Sequence, residues 1–598
     1  MCGFTGSISF DSINQDAISK ANKYIECRGP DSKTLDSKKL NSFNIACIFN
    51  RLSILDLSEN ANQPMYFDEA KTMLMFNGEI FNHQELREDL INSGIKFQTS
   101  HSDSETLLKG LSFYGLDFVE KLRGQFSIFF LDESKNKVYL IRDRLGQKPL
   151  YYFHNKKTLI FSSSLFSLIS IQKEYELDSE EVTNYLNYGV VSSPKTLFKN
   201  YYKVQPAEIV EIEIYKNKFE ISKFKYWNEE SFINNKEFEV EKFFDILTES
   251  INLRTISDVP IANFLSGGLD STIITKYLLE SRQDVNSFSV YMENQKYDES
   301  EYIKKVVNKY KIHHKAVTLS SKLSEESIYE AINSIDEPYS DPSVVPSFLM
   351  SNEISKFYKV AISGDGGDEL LGGYYRVNKS LENQNFFNNY FSKLYNFYPP
   401  VLGTGNTFLS KSKHLDTRYK SFLEDRKLLN LLNLKPKKSV FNEILNNSEI
   451  DSYKKLLLSE YKFYLPEMML FKVDRTSMAN SLEVRSPFVD HKLIEYVLSC
   501  SNNYIDKSIP KKILKDQLIN DFDKSFVNRK KQGFVFDVED WVFNNINSIK
   551  DVLKQGSIIY GLNKNIINLL SLYKSRINGQ RIWKLFILEN YLKQVQKL

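Results

Sequence analysis

VPIANFLSGGLDSTIITKYLLES (259–281) indicates the architecture of the larger part of this chain. Its apolar start (259–265) predicts a buried strand, SGGLDS (266–271) a loop, and TIITKYLLES (272–281) a helix. The alternation continues, with predicted strands at 286–292, 314–319 and 359–364 and a predicted helix at 300–311. Strands that alternate with helices indicate a doubly wound parallel sheet, and from about residue 377 the pattern becomes a mostly helical extension.

Two glycine-rich loops, SGGLDS (266–271) and SGDGGDELLGGY (363–374), each follow a predicted strand of this sheet. Glycines expose backbone N–H groups, and a helix start adds a positive dipole, so the first loop is a candidate anion cradle. No GK[ST] follows, which excludes the Walker pattern. Both loops should meet at the carboxyl edge of the sheet. A carboxylate inside an anion site is explained if it holds Mg²⁺, so Asp270 and Asp368 are predicted to share that metal.

The first 225 residues have a different pattern, rich in predicted strands. Short apolar runs predict these strands at 44–49, 72–76, 125–131, 137–141, 158–163 and 208–215. Turn residues such as Asn77-Gly78 are expected to bound several of them, and Gly94 and Gly115 to end two helices that begin near His83 and Ser102. Strands flanked by helices predict a layered α+β domain, with the polar stretch 228–239 as linker.

Cys2 combines two chemical functions if Met1 is removed, because its thiol and a free α-amine then share one residue. A free α-amine has a pKa near 7.7–8.0 and can act as the local base for the neighbouring nucleophile. The alternative is a structural cysteine, and a cysteine at position two does not by itself decide between them.

The surrounding motifs do decide. MCGFTG, RGPD (28–31), RLSILD (51–56), NGEIFNH (77–83), SDSE (102–105) and RDRLGQKPLYY (142–152) occur in this order. Together they resemble the glutaminase domain of class II (amino-terminal-nucleophile) glutamine amidotransferases, which implies a layered αββα domain over 2–225. The family usually has His before RGPD, where this chain has Cys27, expected to be a packing residue.

The resemblance implies a role for each site residue. Cys2 attacks the amide of glutamine, and the Asn77 side chain and Gly78 N–H receive the oxyanion. Arg51 matches the α-carboxylate of glutamine with its fork of donors. Glu79 and Asp103 are the expected partners of the α-ammonium group.

The two glycine-rich loops, with KVDRTSMANSLEVRSPFVDH (472–491), resemble the pyrophosphate-loop ATPase domain of glutamine-hydrolysing asparagine synthetases. The resemblance covers 1–225 and 240–545, is weaker within 377–455, and implies an ATP-binding domain over 240–598. In that family an acceptor carboxylate attacks the α-phosphate of ATP, giving an acyl-adenylate and pyrophosphate. The resemblance implies that Phe264, Leu265 and Val290 surround adenine. It implies further nucleotide contacts from residues of the two loops, namely Ser266, Gly267, Gly268, Asp270, Ser271, Ser363 and Gly364.

Two further catalytic residues follow from the same resemblance. Lys531 in RKKQGF (529–534), with Lys530 as the alternative, is expected to meet phosphate oxygens. Asp365 stands where many asparagine synthetases have Glu, so it keeps a carboxylate on a shorter side chain.

Composition sets limits on partners and compartment. Lys+Arg is 78 and Asp+Glu is 76, so the net charge of +2 does not favour nucleic acid or an anionic membrane. No apolar run reaches the roughly 18–20 residues of a membrane-spanning helix. The four cysteines form no CxxC pair, and the start MCGFTGSISF lacks the features of a secretory signal, so a cytoplasmic protein is expected. A homodimer stays open.

The expected function is therefore Mg²⁺-dependent synthesis of asparagine from aspartate, glutamine and ATP. The main alternative is the same chemistry on another carboxylate, such as a cell-envelope precursor or a sugar acid. A regulatory protein that has lost activity is disfavoured by the intact Cys2, Asn77, Gly78, Asp270 and Asp368. A thiouridine-type transferase acting on tRNA is disfavoured by the net charge and by the glutaminase motifs.

Overall fold

The strands of the described residues form three sheets, two antiparallel and one parallel. The structure, a computed structural model, describes residues 2–40, 42–281, 285–292, 299–319, 323–382, 386–436, 439–504, 509–529, 536–556 and 558–598. The strands are β1 Cys2–Ser9, β2 Ser32–Lys39, β3 Asn44–Arg51, β4 Met65–Phe67, β5 Thr72–Ile80, β6 Gly124–Asp132, β7 Lys137–Arg142, β8 Tyr151–His154, β9 Thr158–Ser162, β10 Tyr201–Lys203, β11 Glu208–Tyr215, β12 Lys218–Lys225, β13 Ile261–Phe264, β14 Asn286–Met292, β15 His313–Leu319, β16 Val360–Ile362 and β17 Glu483–Arg485.

The α-helices lie mainly after the first 240 residues. They are α1 Gln15–Ala21, α2 His83–Asn92, α3 Asp103–Tyr114, α4 Asp117–Lys121, α5 Leu165–Gln172, α6 Ser179–Tyr188, α7 Val240–Arg254, α8 Leu269–Ser281, α9 Ser300–Tyr310, α10 Glu325–Asn333, α11 Val344–Ser355, α12 Gly367–Leu370, α13 Tyr375–Leu381, α14 Phe386–Lys393, α15 Asn406–Leu409, α16 Leu415–Lys420, α17 Arg426–Leu431, α18 Asn442–Leu445, α19 Ser452–Ser459, α20 Phe471–Met478, α21 His491–Ser499, α22 Lys512–Leu518, α23 Lys524–Val527, α24 Val538–Asn544, α25 Ile546–Gln555, α26 Ile558–Leu562, α27 Ile566–Leu572 and α28 Arg576–Val595.

The first domain is built from the two antiparallel sheets, which face each other. Their strand orders are β10-β8-β9-β1-β3-β2 and β12-β11-β7-β6-β5-β4. The apolar core between them includes the rings of Phe129 and Phe161, which stack with centroids 4.1 Å apart. Helices α2 and α3 cover the outer face of the second sheet, and α1 and α5 that of the first. The expected αββα layering is confirmed.

The second domain is centred on the parallel sheet, in the order β15-β14-β13-β16-β17. Helix α8 packs on one face of it and α11 on the other, which confirms the doubly wound arrangement. Strand β17 was not predicted, because a three-residue strand is too short to show a periodic pattern. This strand completes the sheet next to β16, which leads into the second glycine-rich loop.

The expectation that Asn77-Gly78 ends a strand is wrong. Strand β5 continues through both residues and pairs with β6 along its whole length. A Cβ atom at Gly78 would lie 2.1 Å from the carbonyl oxygen of Gln125, so glycine serves close strand approach here rather than a turn.

The helical extension ends by packing on the first domain. The ring of Tyr591 in α28 stacks on Phe166 with centroids 5.6 Å apart, and Tyr185 Oη donates to the Lys584 carbonyl at 2.9 Å. Among the helices that the structure describes, none has both the length and the apolar character to cross a bilayer.

Candidate functional site

Cys2 begins β1 and is buried at the edge of the sandwich. It lies opposite Arg51 in the antiparallel register, and its backbone N–H donates to Asn77 Oδ1 at 3.1 Å. Asn77 Nδ2 donates to Ser127 Oγ at 3.3 Å. Burial raises the pKa of the Cys2 thiol, and the backbone N–H of Leu52 and the Arg51 guanidinium act in the opposite direction. The thiol is therefore protonated near neutral pH unless a base removes its proton.

Two buried carboxyl groups, Glu79 and Asp103, lie beside this cysteine. Asp103 accepts from the backbone N–H of Ile80 at 3.2 Å, and burial raises its pKa to about 6. Burial and the charge of Asp103 raise the pKa of Glu79 well above its usual range, against the opposing effect of Arg485. An ammonium group between these carboxyls would offset the desolvation cost of their charged forms and their mutual repulsion. This fits their predicted role as partners of the α-ammonium group of glutamine.

Arg51 is buried and already has partners in the loop that follows β3. Its guanidinium donates to the carbonyls of Ser58 at 2.8 Å and Leu55 at 3.2 Å, to Asn62 Oδ1 at 3.0 Å, and to the Asp56 carbonyl. Arg51 thus holds this loop next to Cys2. The structure brings the five predicted glutamine-site side chains together, and their individual roles stay predictions.

Cys27 does not fit its expected role as a packing residue. Cys27 lies in a single 3-10 turn (Glu26–Arg28) and is exposed, whereas its neighbour Arg28 is buried. Free cysteines are usually buried, but Cys27 is not, because the turn directs the side chain of Arg28 rather than that of Cys27 inward.

Gly78→Ala is expected to impair both stability and glutamine hydrolysis. The new methyl group would meet the Gln125 carbonyl at 2.1 Å and Phe126 Cα at 2.7 Å, so β5 and β6 must separate beside Cys2. Overpacking of this kind costs about 1–3 kcal/mol. Thermal unfolding and glutaminase assays measure the two effects.

The control is Gly561→Ala, in α26. A Cβ there would have nothing within 4 Å, and alanine favours a helix over glycine by about 1 kcal/mol. Equal thermal stability and equal glutaminase activity in the two variants would contradict the close approach of β5 and β6 at Gly78.

The two glycine-rich loops meet at the carboxyl edge of the parallel sheet, as predicted. Ser266 Oγ and Ser271 Oγ lie 3.0 Å apart across the first loop, and Gly268 N–H donates to Ser266 Oγ at 3.3 Å. A Cβ on Gly367 of the second loop would lie 2.6 Å from Asp270 Oδ1. The loops therefore interlock, and glycine is required where the second loop passes over Asp270.

The second loop is anchored to β17. The Ser363 N–H donates to the Arg485 carbonyl at 2.9 Å, and Ser363 Oγ lies 2.8 Å from Asp365 Oδ2 and 2.9 Å from Ser486 Oγ. A Cβ on Gly364 would lie 2.8 Å from the Ser271 N–H, so this backbone touches the start of α8. Asp365 is half-buried and faces its own loop serine.

The residues predicted to surround adenine lie on neighbouring strands. Phe264 ends β13 opposite Phe288, two residues before Val290 in β14. The Leu265 N–H donates to the Phe288 carbonyl at 2.8 Å, and its side chain is buried. Phe264 and Val290 are half-buried, so the structure places these residues together at the expected edge.

Lys511, which was not predicted from the sequence, joins the two predicted metal ligands. Lys511 Nζ lies 2.5 Å from Asp270 Oδ2 and 2.6 Å from Asp368 Oδ1. The Lys511 side chain is buried, and its backbone has a φ of +55°. The sequence carried no signal for it, since a lysine pair after Pro510 is indistinguishable from a solvated surface pair.

The lysines expected to meet phosphate, Lys531 and Lys530, lie outside the described residues. Arg529, the first residue of the same segment, lies within the described residues and was not predicted as a site residue from the sequence. Its Nη2 lies 3.0 Å from Glu299 Oε1 and 3.8 Å from the position of a Cβ on Gly268. Lys511 and Arg529 thus place positive charge at the two glycine-rich loops.

Comparisons with known proteins identify a family for each part of the chain. The asparagine synthase family model matches residues 242–575, and the glutamine amidotransferase domain model matches residues 1–227. The chain is 29% identical to asparagine synthetase (glutamine-hydrolyzing) 1 of Bacillus subtilis, over 98% of this chain and 96% of that protein. It is 27% identical to asparagine synthetase (glutamine-hydrolyzing) 3 of the same organism, over 83% of this chain and 80% of that protein.

The solved structure of glutamine phosphoribosylpyrophosphate amidotransferase from B. subtilis matches with a TM-score of 0.27 at 13% identity, covering 50% of this chain and 68% of that chain. The family assignment depends on the sequence matches, which span both domains. The chain belongs to the asparagine synthase family and is an ATP-dependent ligase with an amino-terminal glutamine amidotransferase domain.

Proposed function

We propose that this protein makes L-asparagine, converting ATP, L-aspartate, L-glutamine and water to AMP, pyrophosphate, L-asparagine and L-glutamate. The observation that carries the proposal is the pairing of two sites in one chain. The glutaminase set gathers around Cys2, and two phosphate loops converge on Asp270 and Asp368. The names of the relatives support aspartate as the acceptor.

Glutamine hydrolysis is assigned to the first domain. The Cys2 sulfur attacks the amide carbon of glutamine, and the α-amine of a processed Cys2 takes the thiol proton that burial otherwise retains. The tetrahedral oxyanion is received by Asn77 Nδ2 and the Gly78 N–H. Collapse expels ammonia and leaves a thioester, which water hydrolyses to glutamate and free Cys2.

Aspartate activation is assigned to the parallel-sheet domain. A β-carboxylate oxygen of aspartate attacks the α-phosphorus of ATP, pyrophosphate leaves, and β-aspartyl-AMP forms. Ammonia then attacks the acyl carbon and expels AMP. Asp365, which accepts from the predicted nucleotide contact Ser363, is assigned the role of orienting the reacting groups.

The carboxylates of Asp270 and Asp368 fit Mg²⁺. They converge on one cation, Lys511, and carboxylate oxygens are preferred Mg²⁺ ligands. Across the described ranges, no group of three or more His, Cys, Asp or Glu side chains gathers as for a fully protein-held metal. Two carboxylates suffice, because Mg²⁺ usually completes its shell with phosphates and water. When bound, it would neutralise the phosphate oxygens as charge develops on the leaving pyrophosphate.

The test of the proposal is a product assay with glutamine, Mg-ATP and a panel of acceptor carboxylates. Phosphorus NMR should show AMP and pyrophosphate in equal amounts, and mass spectrometry should show asparagine with aspartate alone. ADP as the acceptor-dependent product would refute the adenylate route. Stimulation by another carboxylate but not by aspartate would keep the amidotransferase and overturn asparagine synthesis.

Lys511→Met is expected to lower acceptor-dependent pyrophosphate release by about 10²-fold. Asp270 and Asp368 would hold Mg²⁺, and the Lys511 ammonium group beside them would add a second positive charge to stabilise the triphosphate. The control is Lys512→Met, since the Lys512 side chain is 42% exposed and pairs with Asp516. Calorimetry of Mg-ATP binding provides a second readout, and equal nucleotide affinity in both variants would contradict this role.

A further inference from the structure

The segment 472–491, KVDRTSMANSLEVRSPFVDH, belongs to the second domain but makes buried ion pairs with the first. Asp474 in α20 accepts from Arg28 Nη1 at 2.9 Å and Nη2 at 3.1 Å, and Lys148 Nζ lies 3.3 Å away. Arg475 Nη1 is 3.3 Å from the same carboxylate. Arg28 and Lys148 come from two glutaminase motifs, RGPD and RDRLGQKPLYY, for which the proposed chemistry has no use.

The guanidinium of Arg28 also holds the candidate nucleophile. Its Nε donates to the Cys2 carbonyl at 3.1 Å while both terminal nitrogens face Asp474. A guanidinium is planar, so fixing two of its donors fixes the direction of the third. Asp474 thereby sets where the Cys2 main chain lies, although it belongs to the other domain.

The segment touches the glutaminase site at a second point. Arg485 Nη2 lies 3.3 Å from Glu79 Oε2, and Arg485 Nε lies 2.6 Å from Glu483 Oε1. Arg485 Nη1 donates to the carbonyls of Arg254 at 3.0 Å and Ile256 at 2.6 Å. A backbone-anchored arginine of the second domain thus faces a residue predicted to bind glutamine.

The charge at position 474 is essential to this arrangement. Three buried cations, Arg28, Lys148 and Arg475, surround the Asp474 carboxylate. Despite its burial, these cations hold the pKa of Asp474 well below its usual range. Removing one partner of a buried ion pair leaves uncompensated charge, so the Arg28 side chain would reorient toward water or another acceptor.

We propose that Asp474 is a positioning residue for the glutaminase: through Arg28 it holds the Cys2 main chain so that the thiol faces the oxyanion donors Asn77 and Gly78. The inference rests on the proposed function of Cys2. It makes glutamine hydrolysis dependent on the docked second domain, so ammonia is released only where the site that consumes it is in place.

The test compares Asp474→Asn with Asp490→Asn. Asp490 is a matched control, because it lies in the same segment, is fully buried, and joins Arg123 of the first domain to Arg254 of the second. The Asp490 carboxylate accepts from Arg123 Nε, Arg254 Nη1 and the Lys492 N–H, none of which belongs to the predicted glutamine site. Asp474→Asn should lower glutaminase kcat by about 10²-fold, as a roughly 1 Å misplacement does, with ammonia-dependent asparagine synthesis retained. Asp490→Asn should retain glutaminase kcat.

A second variant, Arg28→Lys, keeps positive charge opposite Asp474 but lacks the planar fork that reaches the Cys2 carbonyl. It should lose glutaminase kcat as Asp474→Asn does, and both variants should react more slowly at Cys2 with the glutamine analogue 6-diazo-5-oxo-L-norleucine. Equal glutaminase kcat in Asp474→Asn and Asp490→Asn would overturn the proposal, as would parallel loss of glutamine- and ammonia-dependent synthesis. A wild-type protein that does not hydrolyse glutamine would instead refute the proposed function.

Discussion

Cys2→Ala should lower glutamine hydrolysis by about 10⁶-fold, the size of effect seen when the nucleophile of a covalent catalyst is removed. Without the sulfur no thioester forms, and the oxyanion donors Asn77 and Gly78 have no tetrahedral intermediate to stabilise. Fold disturbance should be small, because the change removes one buried atom at the edge of the sandwich. Release of ammonia from glutamine by purified protein measures the effect.

The same variant should keep ammonia-dependent asparagine synthesis, since the phosphate loops belong to the other domain. Cys47→Ala is the matched control, because Cys47 is buried in β3 opposite Gly6 and has no predicted part in catalysis. It should lose some stability and retain glutamine hydrolysis. Full glutaminase activity in pure Cys2→Ala protein would remove the nucleophile assignment.

Asp270→Asn should lower acceptor-dependent pyrophosphate release by about 10³-fold. A metal ion supplies several kcal/mol of charge stabilisation, and each 1.36 kcal/mol lost lowers the rate about tenfold. Asparagine is a weaker metal ligand than aspartate. After the substitution, Asp368 would be the one remaining carboxylate of this pair beside Lys511. Glutamine hydrolysis should continue, because Cys2 and its partners are unchanged.

Asp516→Asn controls for loss of a carboxylate elsewhere in this domain, since the Asp516 side chain is 60% exposed and pairs with Lys512. Mn²⁺ titration followed by electron paramagnetic resonance, with ATP present, reports metal binding without turnover. Wild-type metal affinity and pyrophosphate release in Asp270→Asn would contradict a metal role for this carboxylate.

Local pattern was enough to predict much of the fold. The strands Glu208–Tyr215 and Asn286–Met292 occur with the predicted bounds, because alternating or continuous apolar runs between turn residues specify a strand by themselves. Expectations drawn from residue type alone were weaker. Asn77-Gly78 lies within β5 and Cys27 is exposed, since strand pairing and turn direction outweigh the usual preferences of these residues.

Residues that are neighbours along the chain specified the class of each domain, the order of the elements and the identity of the loop residues. Contacts between distant segments became apparent only in the folded chain. Lys511 reaches Asp270 across 241 positions, and Arg28 reaches Asp474 across 446. No periodicity links residues so far apart. Arg28 and Asp474 meet because two packed domains bury opposite charges at a common surface, where each charge must find a partner. Lys511 and Asp270 meet within the second domain, where the same requirement holds.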